Sequence, residues 1–208
     1  MKLTDFIYPP RCISCFKVVE HNTLICKECA KDFETRKNYI DFHAFDFDCR
    51  SLYKYDGSVK GVIRCIKFKH SLTICKKVGN LLVEEAQRLH QNTPFDLVVY
   101  VPMTRKAKAK RRFNQAEVFA RIISKQLGLK FEKNVLIKIR ETKPQKSLKA
   151  AERRTNLKGA FKVTKDVDGK SILLVDDIVT TGATLKENAK MLYKAGARRV
   201  TAITFAKT

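Results

Sequence analysis

Two adjacent carboxylates followed by a threonine-rich turn are the residues of this sequence best suited to chemistry. They lie in SILLVDDIVTTGATL, residues 171–185, directly after an apolar run. Carboxylates accept hydrogen bonds from vicinal hydroxyls or hold Mg2+ through oxygen. Threonine hydroxyls, a glycine that permits close backbone approach and the first N–H groups of a helix suit a phosphate. The stretch predicts a sugar-phosphate site formed by Asp176, Asp177, Thr180, Thr181, Gly182, Ala183 and Thr184.

Four of the seven cysteines form two C-x2-C pairs, Cys12 with Cys15 and Cys26 with Cys29. Each pair lets two thiolates converge on one ion, and two pairs complete a tetrahedral zinc site that is structural when all ligands are sulfur. Disulfides are the competing interpretation, and a cytoplasmic chain argues against them. His21 lies between the pairs, but four thiolates already fill the shell. We therefore predict a structural Zn2+ on the four cysteines.

Alternating strand-like and helical segments must position these residues. Strands are predicted from FDFDCRSLYKY, FDLVVYVPM, NVLIKI, KSILLVDD and RRVTAITFA. Helices are predicted from SVKGVIRCIKF, TICKKVGNLLVEEAQRLHQ, NQAEVFARIISKQLG and TLKENAKMLYKAG. Strand, helix and strand at these lengths indicate parallel strands joined by right-handed crossovers. The sequence thus predicts an α/β fold, a parallel sheet flanked by helices in residues 39–208, after a small zinc module in residues 1–38.

The charge balance points to an anionic partner. Lys and Arg number 43 against 21 Asp and Glu, for a formal net charge of +22. Such a balance attracts phosphates or nucleic acid, although a generally basic surface is the alternative. No apolar run has the length of a membrane-spanning helix or of a signal-peptide core. We expect a cytoplasmic protein that does not insert into membranes.

These features together resemble known families. ILLVDDIVTTGAT resembles the phosphoribosyl pyrophosphate (PRPP) signature of type I phosphoribosyltransferases, whose paired acids hold the ribose hydroxyls and whose following loop holds the 5′-phosphate. The chain as a whole resembles the ComF competence family, which joins a four-cysteine zinc module to such a domain. The cysteine pairs carry that resemblance together with LYKYDG, IRCIKFKH, VPMTRKAKAKRRFNQAE and TKPQKSLKAAERRTNLKGAF. It implies a type I phosphoribosyltransferase-like fold, PRPP with Mg2+ as the ligand, and a role in natural transformation.

The resemblance also implies a pyrophosphate and magnesium loop after the strand FDLVVY. Its residues are Val101, Pro102, Met103, Thr104, Arg105 and Arg112. Guanidinium groups suit an oxygen-rich dianion. The family usually has glycine where this chain has Arg112. Thr180 stands where purine-salvage members carry an acid as general base, which threonine cannot replace near neutral pH, so no catalytic residue is assigned.

Two basic stretches, residues 105–112 and 143–154, form an electrostatic footprint for nucleic acid. The residues expected to bind it are Arg105, Lys106, Lys108, Lys110, Arg111, Arg112, Lys146, Lys149, Arg153 and Arg154.

Three functions follow from these observations. The first is a PRPP-binding competence protein that binds incoming single-stranded DNA, alone or with other proteins of the uptake machinery. The second is a phosphoribosyltransferase that moves ribose 5-phosphate from PRPP to an unidentified acceptor. The third is a regulator that senses PRPP without turning it over.

Overall fold

The computed structural model describes residues 9–20, 23–42, 47–69, 71–142 and 156–208. The strands there are β1 (Lys37–Phe42), β2 (Asp48–Lys54), β3 (Leu97–Tyr100), β4 (Leu136–Lys138), β5 (Phe161–Val163), β6 (Ser171–Val179) and β7 (Arg199–Lys207). The helices are α1 (Lys27–Thr35), α2 (Gly57–Lys69), α3 (Leu72–Leu81), α4 (Val83–Asn92), α5 (Arg105–Arg111), α6 (Gln115–Gln126) and α7 (Ala183–Lys194). Within these ranges, no helix combines the length and apolar character that crossing a bilayer requires.

A five-stranded sheet in the order β1-β2-β7-β6-β3 forms the centre of the fold. Strands β2, β7, β6 and β3 are parallel, which confirms the predicted fold class, and helices connect them. Strand β1 pairs antiparallel with β2, so the sheet is mixed at this edge. The segment NVLIKI does form a strand, β4, but β4 and β5 make a separate antiparallel pair. Apolar patterning predicts a strand but not which strand it pairs with, because pairing depends on tertiary contacts.

Helices cover both faces of the sheet, which explains the continuous apolar runs of the central strands. On one face, Leu173 and Val175 of β6 pack in a core with α2, α3, α4 and α6. On the other, Ile172 and Leu174 pack with Leu185, Ala189 and Leu192 of α7. A parallel sheet buried on both sides needs apolar residues at every position, not at every second one. The cysteines outside the two pairs, Cys49, Cys65 and Cys75, are buried.

The cysteine-containing N-terminal segment rests on the first turns of α2. The Ser14 hydroxyl donates to the Ser58 carbonyl at 3.1 Å, and the Ser58 N–H donates to the Asp32 carboxylate at 2.8 Å. Gly61 lies so close to Ser14 that a Cβ there would be 2.6 Å from the Ser14 carbonyl oxygen. Ser14 separates the first two cysteine ligands by sequence, and Asp32 is on α1. The segment is therefore fixed to the sheet domain through α2.

Candidate functional site

The two adjacent acids lie near the C-terminal end of β6, which continues to Val179. Asp176 is in register with Thr204 of β7, and the neighbouring strand β3 has already ended at Tyr100. Because successive strand residues face opposite sides of a sheet, the two carboxylates leave the strand on different faces. Asp176 is partly exposed and accepts a hydrogen bond from the Asp177 N–H at 2.8 Å. Asp177 is buried, with 9% exposure.

Asp177 is held by a lysine that the sequence patterns did not assign to the site. The Nζ atom of Lys67, near the end of α2, lies 2.8 Å from Asp177 Oδ2. Both side chains are largely buried, at 20% and 13% exposure. The sequence does contain a signal for it: Val59, Ile63 and Lys67 are spaced i, i+4 and i+8, so the lysine continues the buried stripe of α2. A charged residue on a core-facing stripe indicates a buried partner.

The pKa of Asp176 is raised to about 8, first by burial and then by the neighbouring Asp177 charge. The hydrogen bond from the Asp177 N–H and the charges of Lys67 and Arg111 lower the pKa but do not restore its ordinary value. Arg111 belongs to α5, which follows β3. Its influence shows that the predicted basic loop and the carboxylates share one electrostatic environment.

The turn after β6 has the geometry of an anion site. Thr180 and Thr181 are exposed, and Gly182 adopts a left-handed conformation with φ of 73°. Helix α7 begins at Ala183 with no side chain capping it, so its first N–H groups are available to a ligand. Thr184 lies in the first turn of α7, partly exposed. An uncapped helix start carries partial positive charge, which favours a phosphate.

The predicted pyrophosphate loop begins beside β6, just before the paired acids. The Val101 N–H donates to the Val175 carbonyl at 3.0 Å, one residue before Asp176. Val101, Pro102 and Thr104 are buried, Met103 is partly exposed and Arg105 is exposed. The Thr104 hydroxyl caps α5 by accepting from the Ala107 N–H at 3.2 Å.

Asn114, another residue that the sequence patterns did not assign, fixes this loop from the other side. Its Nδ2 donates to the Val101 carbonyl at 2.9 Å, and its Oδ1 accepts from the Ala116 N–H at 3.0 Å, capping α6. It is 2% exposed. One side chain thus fixes both the start of the loop and the start of the next helix.

The backbone conformation of Arg112 is one that glycine adopts most easily. Arg112 ends α5 in the left-handed region, with φ of 64°. Glycine occupies that region without strain, whereas a residue with a Cβ does not. The exposed Arg112 side chain therefore adds a positive charge at the expense of some backbone strain.

The first basic stretch forms α5, whose side chains are mostly exposed. Arg105, Lys106 and Lys108 line a cavity of about 720 Å³ together with Tyr100, Asn134, Leu136, Lys138 and Arg140. Lys108 is paired with Glu117 at 2.8 Å. Lys110 and Arg112 are exposed and Arg111 is partly exposed. Lys146, Lys149, Arg153 and Arg154, like His21, lie outside the described residues.

The structure brings the four predicted zinc ligands together. The Sγ atoms of Cys12, Cys15, Cys26 and Cys29 all lie within 4.8 Å of one another. Cys15 and Cys26 are 3.8 Å apart, about the sulfur separation expected of a tetrahedron with ~2.3 Å zinc–sulfur bonds. The Cys26 and Cys29 N–H groups point at the Sγ atoms of Cys12 and Cys26. Such N–H groups stabilise thiolates, so the donor set fits a structural zinc ion.

Comparison with known proteins agrees with both parts of the site. Residues 114–208 match the phosphoribosyl transferase domain family, and residues 3–39 match the double zinc ribbon domain family. DNA utilization protein YhgH of Salmonella typhi is 30% identical over 153 residues, which cover 72% of this chain and 67% of that protein. Competence protein F of Haemophilus influenzae is 31% identical, over 67% of this chain and 63% of its own length.

The chain belongs to the ComF competence family. Its relatives are longer, since it spans about two thirds of the two just described. Among solved structures, hypoxanthine phosphoribosyltransferase of Staphylococcus aureus superposes with a TM-score of 0.41 at 16% identity, over 64% of this chain and 65% of that one. In this ComF-family protein, the family matches assign a zinc ribbon to residues 3–39 and a phosphoribosyl transferase domain to residues 114–208.

We predict that replacing one thiolate of the cluster releases the metal. Cys26→Ser is expected to lower zinc content from about one ion per chain to well below one, because three sulfur ligands leave the tetrahedral shell incomplete. Elemental analysis of the purified protein measures this content. Cys65→Ala, which removes a buried thiol outside the cluster, serves as the control. Full zinc occupancy in Cys26→Ser would contradict the assignment.

We predict that Asp176 makes the ligand-free protein less stable as the pH rises. The carboxyl titrates near 3.8 when unfolded and near 8 when folded, so the folded state binds more protons between these values. Stability should therefore fall as the pH rises through this window. At pH 8.5, Asp176→Asn should melt about 2 to 4 °C above the wild type, the shift that ~1 kcal/mol produces in a chain of this size.

Differential scanning calorimetry between pH 5 and pH 8.5 measures the effect. The control is Asp168→Asn, since Asp168 is exposed and lies just before the start of β6. We expect its melting temperature to differ from that of the wild type by the same amount at both pH values. A melting difference between Asp176→Asn and wild type that shrinks as the pH rises would show that the sign is wrong.

Proposed function

We propose that this ComF-family protein binds Mg-PRPP at the carboxyl edge of its sheet and handles single-stranded DNA in the cytoplasm during natural transformation. The observation that carries the proposal is the juxtaposition of two turns. Parallel pairing of β3 with β6 brings Val101 next to Val175, one residue before Asp176, and both the residue 101–105 loop and the residue 180–184 turn follow the carboxyl ends of these strands. Ligands of open α/β sheets bind outside the carboxyl ends of adjacent strands. A ribose carrying phosphate groups at two positions matches two anion sites separated by a carboxylate.

Each part of the ligand has a chemical counterpart among the described residues. The 5′-phosphate suits the uncapped start of α7 with Thr180, Thr181 and Gly182. The ribose hydroxyls suit the partly exposed Asp176 carboxylate. The pyrophosphate suits the loop that begins at Val101, where Arg105 is exposed.

Mg2+ fits this donor set, since hard cations prefer carboxylate and phosphate oxygens. Asp176 would hold it together with the ligand oxygens. Bound there, the ion would neutralise charge on the pyrophosphate. The residues of this chain bind and orient the ligand, and Thr180 leaves the turn without a general base.

The names of the relatives and the charge of the chain support the DNA-handling part. Competence protein F and DNA utilization protein YhgH are both relatives at about 30% identity. Helix α5 contains five Lys or Arg in seven residues and no acid. Three of these cations, Arg105, Lys106 and Lys108, line the adjacent cavity. Its walls also contain the apolar surfaces of Tyr100, Pro102 and Leu136 and the acids Glu117 and Glu141. Proteins that bind single strands combine a basic track with apolar or aromatic surfaces that accept bases.

Phosphoribosyl transfer is the second candidate, and the match of residues 114–208 to the phosphoribosyl transferase domain family favours it. Ribose 5-phosphate would pass to a nitrogen of the acceptor, whose proton is lost, and pyrophosphate would leave. Because the turn has no acid, the acceptor or its own pocket would have to provide the base.

We predict that wild-type protein binds Mg-PRPP and that Asp176→Asn weakens this binding at least about tenfold, because the amide is a poor ligand for Mg2+ and for a diol. Isothermal titration calorimetry with Mg-PRPP measures the two dissociation constants. Asp168→Asn again serves as the control, and its affinity should match the wild type.

A wild-type protein that does not bind Mg-PRPP would overturn the ligand assignment. Acceptor-dependent release of pyrophosphate by the wild type, absent in Asp176→Asn, would add transfer to binding.

We predict that α5 contributes phosphate contacts to single-stranded DNA. Affinity should fall with salt, and each lost contact should reduce the slope of log K against log salt by about 0.7. Lys106→Gln combined with Lys110→Gln should therefore reduce the slope by about 1.4, measured by fluorescence anisotropy with a labelled oligonucleotide. Lys190→Gln combined with Lys194→Gln, on the exposed face of α7, removes the same charge and should leave the slope unchanged.

Equal slopes for the two double variants would exclude α5 as the contact surface. Absence of binding at low salt would reject the DNA-handling function.

A further inference from the structure

Among the described residues, Lys67 is the one lysine that forms an ion pair with either of the two paired acids of β6, which precede the residue 180–184 turn (the ligand turn). It lies on α2, 110 residues before Asp177 in the sequence. It approaches β6 from the face of the sheet whose core contains Val175 and Ile66. Its partner Asp177 is buried, so a ligand in the turn meets Asp176 more easily than Asp177. The two adjacent acids therefore have different surroundings: they lie on opposite faces of β6, and Lys67 pairs with Asp177.

We propose that Lys67 is a positioning residue of the ribose-phosphate site: its ammonium group holds the Asp177 carboxylate toward α2 and so directs Asp176 to the ligand. This inference rests on the proposed binding of Mg-PRPP. Without a cation beside it, the Asp177 carboxylate would repel the adjacent Asp176 carboxylate and disturb its orientation toward the ribose. The Lys67 charge offsets that repulsion from the largely buried side of β6.

The position of Lys67 is itself fixed, because α2 is anchored at its other end. The Ser58 carbonyl accepts a hydrogen bond from the Ser14 hydroxyl, and the Ser58 N–H donates one to the Asp32 carboxylate. Gly61 packs directly against Ser14. Arg36 joins this anchor by pairing with Asp32 and with Asp56, just before the helix. From Ser58 to Lys67 the helix rises about 14 Å, at ~1.5 Å per residue. The cysteine-containing segment and Asp177 of β6 thus contact opposite ends of one helix.

The test compares three variants of α2 by calorimetry with two ligands, Mg-PRPP and magnesium pyrophosphate. Lys67→Met should weaken Mg-PRPP binding at least about tenfold, as expected when a buried charge loses its partner. Pyrophosphate, which has no ribose, should bind within about twofold of the wild type. Lys67→Arg should recover most of the affinity for Mg-PRPP. Lys60→Met, which removes an exposed charge from the same helix, should behave as the wild type.

A general loss of positive charge or an unfolded site would weaken both ligands alike, and that outcome would overturn the proposal. Unchanged Mg-PRPP affinity in Lys67→Met would also overturn it while leaving PRPP binding intact. A wild type that binds pyrophosphate but not Mg-PRPP would reject the proposed function and this inference with it.

Gly61→Ala provides an independent variant if Lys67→Met does not fold. Its new methyl would lie 2.5 Å from Ser14 Oγ and 2.6 Å from the Ser14 carbonyl oxygen, so the contact between α2 and the Ser14 segment must change, while the substitution itself is distant in sequence from the paired acids. We expect Mg-PRPP to bind several-fold more weakly and pyrophosphate to bind as in the wild type. Full Mg-PRPP affinity in this variant would show that Lys67 does not need the anchored helix.

Discussion

Parallel pairing of β3, β6 and β7 is the constraint on which the rest of the structure depends. Their hydrogen bonds fix which residues emerge together at the carboxyl edge: Val101 beside Val175, and Asp176 beside Thr204. The strands must be buried on both faces to pair in this way, which requires the unbroken apolar runs and the helices on either side. A shift of one residue in this register would exchange the faces of the two acids. The ligand turn therefore depends on the packing of the whole domain.

Electrostatics distinguish this edge from an ordinary strand end. Two adjacent carboxylates near a basic loop would repel each other if nothing intervened, and burial strengthens that repulsion. The positive charges of Lys67 beside Asp177 and of Arg111 near Asp176 offset part of this repulsion. The raised pKa of Asp176 shows that the compensation is incomplete before a ligand arrives. A magnesium ion with its phosphates would complete it, which is a physical reason for linking metal and ligand binding.

Several site features could be read from the sequence because their chemistry is local. The cysteine spacing specifies a metal site through two tight turns, and the Asp-Asp to Gly-Ala-Thr stretch specifies a strand, a turn and a helix start within nine residues. Asn114 and Lys67 were not assigned in this way. Asn114 acts through a bond to a carbonyl 13 residues earlier, and Lys67 through an acid 110 residues later. Nothing within a short window of sequence indicates either partner, although the apolar stripe that Lys67 continues marks it as unusual.

By itself, the sequence determined the parallel α/β class, most of its strands and helices and the four-cysteine cluster, because these follow from periodicity or short spacing, and its motifs carried the resemblance to the family. It did not predict α1, β1 or β5, nor the break between α3 and α4. The tertiary structure alone decided that β1 joins the sheet antiparallel, that β4 and β5 form a separate pair, and that Arg112 takes a left-handed conformation. It also decided that the two acids differ, one held by Lys67 and the other partly exposed. These features depend on contacts between residues far apart in the chain, which exist only once the layers have packed.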